Sequence, residues 1–222
     1  MSVVVQRNGV RIVAFNKSGN TSIVNTFQCP FGGTPQRGVR NLEVLKAPSS
    51  SDFPEPIVTI AYFRHPLARL ASVYNYFFEL PRREVIETDS MAKVQPTEFR
   101  VNFKVLGFRA DMNFEDFCEQ IIAKKDRLHE DLHIKKQSES FIADRGLAVD
   151  TWIARLDELS TVWSQMVSTF HLDCSTRIAH FNNQVGYSWV AMYQDIPVVT
   201  KLLLELYHDD HRIWQMRSCY LI

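Results

Sequence analysis

Several common sequence features are scarce or absent here, and each absence removes a class of protein. The chain of 222 residues has only four cysteines, which are Cys29, Cys118, Cys174 and Cys219. No two of them have the spacing of a zinc site or a CxxC motif, which predicts free, mostly buried thiols in a reducing compartment. No apolar run approaches the ~20 residues that cross a bilayer. Because Gln6, Arg7 and Asn8 interrupt the first apolar residues, no signal peptide is apparent. The sequence predicts a cytoplasmic protein, with a piece of an ectodomain as the alternative.

An excess of charge of one sign is also missing. Lys and Arg together number 25, as do Asp and Glu, so the formal net charge is zero. This balance argues against a broad nucleic-acid surface and predicts that any anion site is local. Apolar residues make up 45% of the chain, which is typical of a globular protein. The length predicts a single domain over residues 1–222, with the charged, irregular residues 81–112 as a variable insertion.

Two strand–loop–helix units are predicted in the first third of the chain. Val10–Phe15 is an apolar, β-branched run, and the polar loop Asn16–Ser22 leads from it into a helical segment. Ile57–Phe63 is a second buried strand, and Pro66 then begins a helix with apolar residues at helical spacing. Asn-Gly at positions 8–9 predicts a hairpin that joins Ser2–Gln6 to the first of these strands.

Further elements are predicted from caps and periodicity along the rest of the chain. They are a short strand at Leu42–Leu45, a helix capped by Asn113 and ending near Lys125, a strand at Thr151–Leu156, and helices at Asp157–Phe170 and Pro197–His208. Alternating strands and helices predict an α/β fold with a central, mostly parallel sheet flanked by helices and an N-terminal β-hairpin. In such sheets ligands bind beyond the carboxyl ends of the strands.

The loop after the first buried strand has the residues of an anion site. Lys17 supplies a mobile positive charge, while the hydroxyls of Ser18, Thr21 and Ser22 are hydrogen-bond donors. Gly19 permits close approach of the backbone, and the N–H groups at the start of a helix favour phosphate or sulfate. The loop is not a Walker A motif, because its lysine precedes the glycine. The alternative is an ordinary helix capped by Asn20 or Thr21.

A second anion site is predicted where the second buried strand ends. Arg64 follows that strand, and Ser72 lies about two turns along the next helix. A guanidinium and a hydroxyl together suit a phosphate monoester. The alternative is that Arg64 forms a structural ion pair and Ser72 is a small packing residue.

At these two loops the sequence resembles the PAPS-dependent sulfotransferases, in particular the membrane-type carbohydrate group. The segment Asn16–Ser22 (NKSGNTS) resembles the family's 5′-phosphosulfate loop. The segment Arg64–Tyr74 (RHPLARLASVY) resembles its 3′-phosphate motif R-[DN]-P-x-x-R-x-x-S-x-Y, and this is the more specific match. Fainter similarities follow at Phe114–Phe117, at His133 with Gln137 (H-x-x-x-Q), at Thr151–Leu159 and at Leu206–Asp210, so that the resemblance covers about residues 11–214.

The resemblance implies a P-loop-like fold that binds PAPS as donor and releases PAP, without a metal ion. It implies that Lys17, Ser18, Gly19, Asn20, Thr21 and Ser22 hold the 5′-phosphosulfate, and that Arg64 and Ser72 hold the 3′-phosphate. It further implies transfer to an acceptor hydroxyl, above all of a carbohydrate, or to an amine, with Lys17 neutralising the leaving phosphate. No nucleic-acid partner and no membrane span are expected.

Two departures from the family pattern affect these expectations. His65 replaces the usual acidic or amide residue beside Arg64, and no histidine lies between Lys17 and Arg64 to act as the base. The candidate bases are therefore His133, Glu43, Asp52 and Glu55, of which His133 is preferred for its similarity to the family segment. Two other functions stay open: a nucleotide kinase or other phosphotransferase of P-loop ancestry, and a non-catalytic nucleotide-binding module.

Overall fold

The structure, a computed structural model, describes residues 3–7, 10–15, 18–19, 22–23, 26, 58–79, 103–144, 150–172, 175–178, 188–216 and 219–221. The chain divides into two compact units. The first comprises Met1–His65, Gln137–Asn183 and Arg212–Ile222, and the second Pro66–Lys136 and Gln184–His211. The chain thus passes from the first unit to the second and back twice. A single domain with an insertion at 81–112 stays a prediction.

The first unit is built on a five-stranded sheet with the order β1-β2-β3-β4-β5. Its strands are β1 (Val3–Arg7), β2 (Val10–Ala14), β3 (Val58–Phe63), β4 (Asp150–Arg155) and β5 (Cys219–Leu221). β2, β3 and β4 are parallel, whereas β1 and β5 pair antiparallel at the edges. The predicted hairpin is confirmed by the pairing of Arg7 with Val10, and the predicted parallel α/β sheet is confirmed as well. β5 was not predicted.

Seven α-helices have defined bounds among the described residues, and four of these were predicted. In chain order they are α1 (Pro66–Tyr74), α2 (Phe114–Ala123), α3 (Gln137–Asp144), α4 (Leu159–Thr169), α5 (Ser188–Tyr193), α6 (Pro197–Glu205) and α7 (His208–Gln215). α1 continues as a π-helical turn over Asn75–Glu79. Asn113 and Asp116 form a capping box at the start of α2, as the predicted cap required. None of the helices among these residues is long and apolar enough to cross a bilayer.

The predicted final helix Pro197–His208 is wrong in its extent. α6 ends at Glu205, and α7 begins at His208 with Asp209 and Asp210 in its first turn. Acidic side chains are favourable at a helix N-terminus, where the backbone N–H groups carry partial positive charge, so they fit the start of a new helix better than a helix end. Asp210 is buried there.

The two faces of the sheet are covered by different helices of the first unit. Side chains of Ile12 and Ile60 point to the face on which α4 packs, and Trp163 of α4 is fully buried against them. On the opposite face Phe63 contacts Phe141 of α3, with ring centroids 5.7 Å apart. Alternation of side chains along each strand therefore buries both faces of β3, as expected of a central parallel strand.

The second unit has an aromatic core. The ring centroids of Phe78 and Phe117 of α2 lie 5.4 Å apart, and those of Phe103 and Phe108 lie 4.7 Å apart. Leu202 of α6 belongs to the same apolar cluster. Because Phe103 and Phe108 come from the segment predicted as a variable insertion, its residues 103–112 form part of this core. Its residues 81–102 lie outside those that the structure describes, as does the strand predicted at Leu42–Leu45.

Candidate functional site

Three parallel strands end at the same level along one edge of the sheet in the first unit. Ala14 is paired with Tyr62, and Phe63 is paired with Arg155. The segments that follow β2, β3 and β4 therefore all leave the sheet at its carboxyl edge. This is the edge at which parallel α/β sheets bind ligands.

The loop after β2 makes a tight turn around Gly19. The Ser18 N–H donates to the carbonyl of Phe15 at 3.0 Å, and the Ile23 N–H donates to the carbonyl of Gly19 at 3.0 Å. Gly19 has φ +74°, a left-handed conformation that favours glycine. Ser22 and Ile23 are helical, so the predicted order of strand, loop and helix is confirmed for the described residues. Asn16, Lys17, Asn20 and Thr21 lie outside them, and their binding roles stay predictions.

Ser18 makes a side-chain contact that was not predicted. Its side chain is completely buried, and its hydroxyl donates to Oε1 of Gln137 at 2.8 Å. A serine hydroxyl can donate one hydrogen bond, and here the amide oxygen of Gln137 accepts it. The Ser18 side chain thus fixes the loop from inside, and its role toward a phosphate stays a prediction.

The same glutamine also binds the residue that follows β3. The Arg64 N–H donates to Gln137 Oε1 at 3.0 Å, and Gln137 Nε2 donates to the Arg64 carbonyl at 2.9 Å. One buried amide thus joins the loop after β2 to the end of β3 through three hydrogen bonds. This role was not predicted, because the sequence indicated Gln137 only as part of the H-x-x-x-Q similarity.

The position of Gln137 follows from the helix that carries it. Gln137 and Phe141 are four residues apart on α3, so they lie on one helix face. Phe141 packs on Phe63, the last residue of β3. The ring centroid of Phe63 in turn lies 4.9 Å from that of Phe15, which directly follows β2. These aromatic contacts hold the first turn of α3 over the two strand ends, where the Gln137 amide reaches both backbones.

The two residues of the predicted 3′-phosphate site belong to different units. Arg64 is half-buried at the end of β3 in the first unit, and Ser72 is half-buried on α1 in the second unit. The strand, turn and helix predicted for this segment are confirmed. A joint site of Arg64 and Ser72 stays a prediction.

The end of β4 brings a second set of side chains to the same edge. The Arg155 guanidinium lies 4.3 Å from the centroid of the Trp214 ring and pairs with the Asp157 carboxylate. His65, which departs from the family pattern, is buried with its ring edge-on to Trp214 at 4.6 Å. The buried position of His65 is thus explained by aromatic packing. Arg155 and Trp214 were not predicted, because residues far apart in the chain form this group.

His133, the predicted base, lies in the second unit beside a buried carboxylate. Oδ1 of Asp131 accepts a hydrogen bond from the His133 backbone N–H at 2.8 Å and lies 3.1 Å from the ring atom Nδ1. The Phe77 ring packs edge-on against the imidazole at 5.0 Å. A carboxylate at Nδ1 favours the tautomer with its proton there, so that Nε2 has the lone pair that a base requires. The other candidates, Glu43, Asp52 and Glu55, lie outside the described residues.

The backbone around His133 is held by two side chains of the second unit. Arg69 is buried and donates to the carbonyl of His133 at 2.9 Å and to that of Lys135 at 2.6 Å. The Tyr207 hydroxyl donates to the carbonyl between them, that of Ile134. Three consecutive carbonyls are therefore bound, which fixes the conformation of the segment that leads into Gln137. Arg69 is the second arginine of the R-x-P-x-x-R pattern, and here it binds backbone.

Comparison with known proteins adds no assignment. No family model, no curated protein and no solved structure matches the chain. Within the part of the chain that the structure describes, no group of three or more His, Cys, Asp or Glu side chains is arranged to hold a metal ion. The similarity to sulfotransferases rests on the motifs quoted above, and the activity is accordingly a proposal.

Proposed function

We propose that this chain is a sulfotransferase of P-loop-like fold that transfers a sulfuryl group from PAPS to an acceptor hydroxyl or amine. The observation that carries the proposal is the Gln137 amide, which joins Ser18 after β2 to Arg64 after β3. It links the two loops whose sequences resemble the 5′-phosphosulfate and 3′-phosphate motifs. Both loops leave the carboxyl edge of parallel strands, where such ligands bind.

In the proposed reaction the bond between sulfur and the 5′-phosphate oxygen breaks, and a bond between sulfur and the acceptor atom forms. The acceptor proton passes to a base, and the leaving phosphate gains negative charge. Lys17 and backbone N–H groups of the loop from Gly19 to Ser22 stabilise that charge, while Arg64 binds the 3′-phosphate. Positioning and electrostatics supply the catalysis, as in phosphoryl transfer.

His133 is the proposed base, and a carbohydrate hydroxyl is the preferred acceptor. The support for His133 is its contact with Asp131, which orients the ring so that Nε2 can act as a base. A screen of acceptors with labelled PAPS would provide the assay. Undiminished turnover by His133→Ala in that assay would remove His133 from this role.

The proposal is tested by calorimetry with PAP and AMP, both in the absence of magnesium. PAP is expected to bind at least tenfold more tightly than AMP, because only PAP has the 3′-phosphate that Arg64 binds; tenfold corresponds to about 1.4 kcal/mol. ATP with Mg²⁺ serves as the comparison for a kinase. Tighter binding of ATP–Mg²⁺ than of PAP would contradict the proposal and favour a phosphotransferase.

Gly19→Ala is expected to weaken both folding and PAP binding. A residue with a Cβ at φ +74° costs about 1–2 kcal/mol, and this Cβ would lie 2.6 Å from Cδ1 of Leu156, so that either the Leu156 side chain or the loop must shift. We expect PAP affinity to fall roughly tenfold, equivalent to about 1.4 kcal/mol. Calorimetry and thermal unfolding measure the two effects.

Gly107→Ala is the matched control for this glycine. Gly107 has φ +82°, and its added Cβ would lie 2.8 Å from Nε2 of Gln120 in the second unit. The control should lower stability by a similar amount and leave PAP affinity unchanged. Equal losses of PAP affinity in both variants would show that the effect of Gly19→Ala is a general loss of stability.

A further inference from the structure

We infer that Gln137 is a positioning residue that sets the geometry of the two nucleotide-binding loops relative to each other. The inference rests on the proposed function and extends it to a residue that contacts neither phosphate. Gln137 is 1% exposed, and its amide bridges residues that are 119 and 73 positions away in the chain. Removal of this side chain would disconnect the loop after β2 from the end of β3.

The chemistry of the site requires an amide. Oε1 accepts two hydrogen bonds, from the Ser18 hydroxyl and the Arg64 N–H, while Nε2 donates to the Arg64 carbonyl. A carboxylate accepts the first two bonds but cannot donate the third, and it would add negative charge where anions are expected to bind. An aliphatic side chain of similar size makes none of these bonds and leaves buried polar groups unpaired.

The bridge has a consequence for selectivity. AMP carries only the 5′-phosphate, so its binding requires the loop after β2 alone. PAP carries phosphates at both ends of the ribose and must contact both loops at once. Loss of the Gln137 hydrogen bonds should therefore weaken the binding of PAP more than that of AMP. The separation and orientation of the loops matter only to the ligand that spans them. A purely structural role would leave the ratio of the two affinities unchanged.

The test is calorimetric titration of the full chain with PAP and with AMP for the wild type and for Gln137→Leu. We expect PAP to bind at least tenfold more weakly to the variant, with AMP weakened less than threefold. Ser18→Ala removes only the hydroxyl contact and should lower the ratio of PAP affinity to AMP affinity by a smaller factor. It provides a test of the bridge if Gln137→Leu does not fold.

A double variant and a matched control sharpen the result. In Ser18→Ala/Gln137→Leu the hydroxyl contact is already lost through the glutamine, so the PAP affinity should equal that of Gln137→Leu within a factor of two. Gln120→Leu removes another glutamine that is bonded to backbone, since Gln120 Nε2 donates to the Leu106 carbonyl at 2.8 Å in the second unit. That control should keep the wild-type ratio of PAP to AMP affinity.

Failure of the inference is distinguishable from failure of the proposed function. A wild-type chain that binds PAP no better than AMP would overturn the proposed function and, with it, this role. A wild-type chain that prefers PAP, together with Gln137→Leu and Ser18→Ala variants that keep the full preference, would overturn only the role of Gln137. A selective loss of PAP affinity in both variants, absent from Gln120→Leu, is the result we expect.

Discussion

Arg69→Met is expected to lower the free energy of unfolding by about 3 kcal/mol, because the variant leaves two partly buried backbone acceptors without their charged, buried donor. The Arg69 guanidinium donates to the carbonyls of His133 and Lys135 and lies 5.9 Å from the centroid of the Tyr207 ring. Methionine fills much of the same volume but donates nothing. For a chain of this size the loss corresponds to a decrease of roughly 6–12 °C in the melting temperature.

Thermal and urea unfolding measure this effect, and Arg109→Met is the matched control. The Arg109 side chain is 65% exposed and pairs with Asp111 on the surface, so its replacement should change stability by less than about 0.5 kcal/mol. Equal stability of the Arg69 and Arg109 variants would mean that the carbonyls of His133 and Lys135 are satisfied without Arg69. The experiment requires no ligand and is independent of the proposed activity.

Arg64→Ala is expected to weaken PAP binding about 100-fold, which corresponds to about 2.7 kcal/mol. The physical reason is that, in the proposed function, the variant loses a charge-assisted, bidentate contact between the partly buried Arg64 and the 3′-phosphate. AMP lacks that phosphate, so its affinity should change by less than threefold. Calorimetry with both nucleotides measures the selectivity directly.

The control for Arg64→Ala is Arg109→Ala, which removes the same charge from an exposed position. It should bind PAP and AMP as the wild type does. An equal loss of affinity for PAP and AMP in Arg64→Ala would remove the role of Arg64 at the 3′-phosphate and indicate a general effect on the site. The backbone of Arg64, which Gln137 binds, is present in the variant, so the bridge itself should persist.

Much of the sheet could be predicted because its signals are local. An Asn-Gly pair between β-branched runs predicted the β1–β2 hairpin, and a continuous apolar run predicted the buried strand β3. The loop after β2 was placed between strand and helix for the same reason, and the left-handed Gly19 agrees with that prediction. The helix cap at Asn113 was also predicted, since a cap depends on residues a few positions apart.

Several omissions involve contacts that are distant in the chain. β5 is a strand because Cys219 and Tyr220 pair with β4, and no local pattern indicates that pairing. The contact of the Ser18 hydroxyl with Gln137 was not predicted, because the two residues lie 119 positions apart in the chain. Arg69 belongs to a motif that resembles a phosphate site, yet its guanidinium binds backbone 64 and 66 residues further along.

For this protein the sequence by itself determined the strands β1 to β4, the alternation of strand, loop and helix, and the two segments that resemble phosphate-binding motifs. These features depend on residue spacing, turn chemistry and burial over a few positions, which a linear chain displays directly. Only the tertiary structure decided that a buried amide at Gln137 joins the two loops and that Arg69 holds the backbone beside His133. Hydrogen bonds between residues far apart in the chain depend on where the packed elements bring each donor and acceptor. The packing of Phe141 on Phe63 places the Gln137 amide beside its partners.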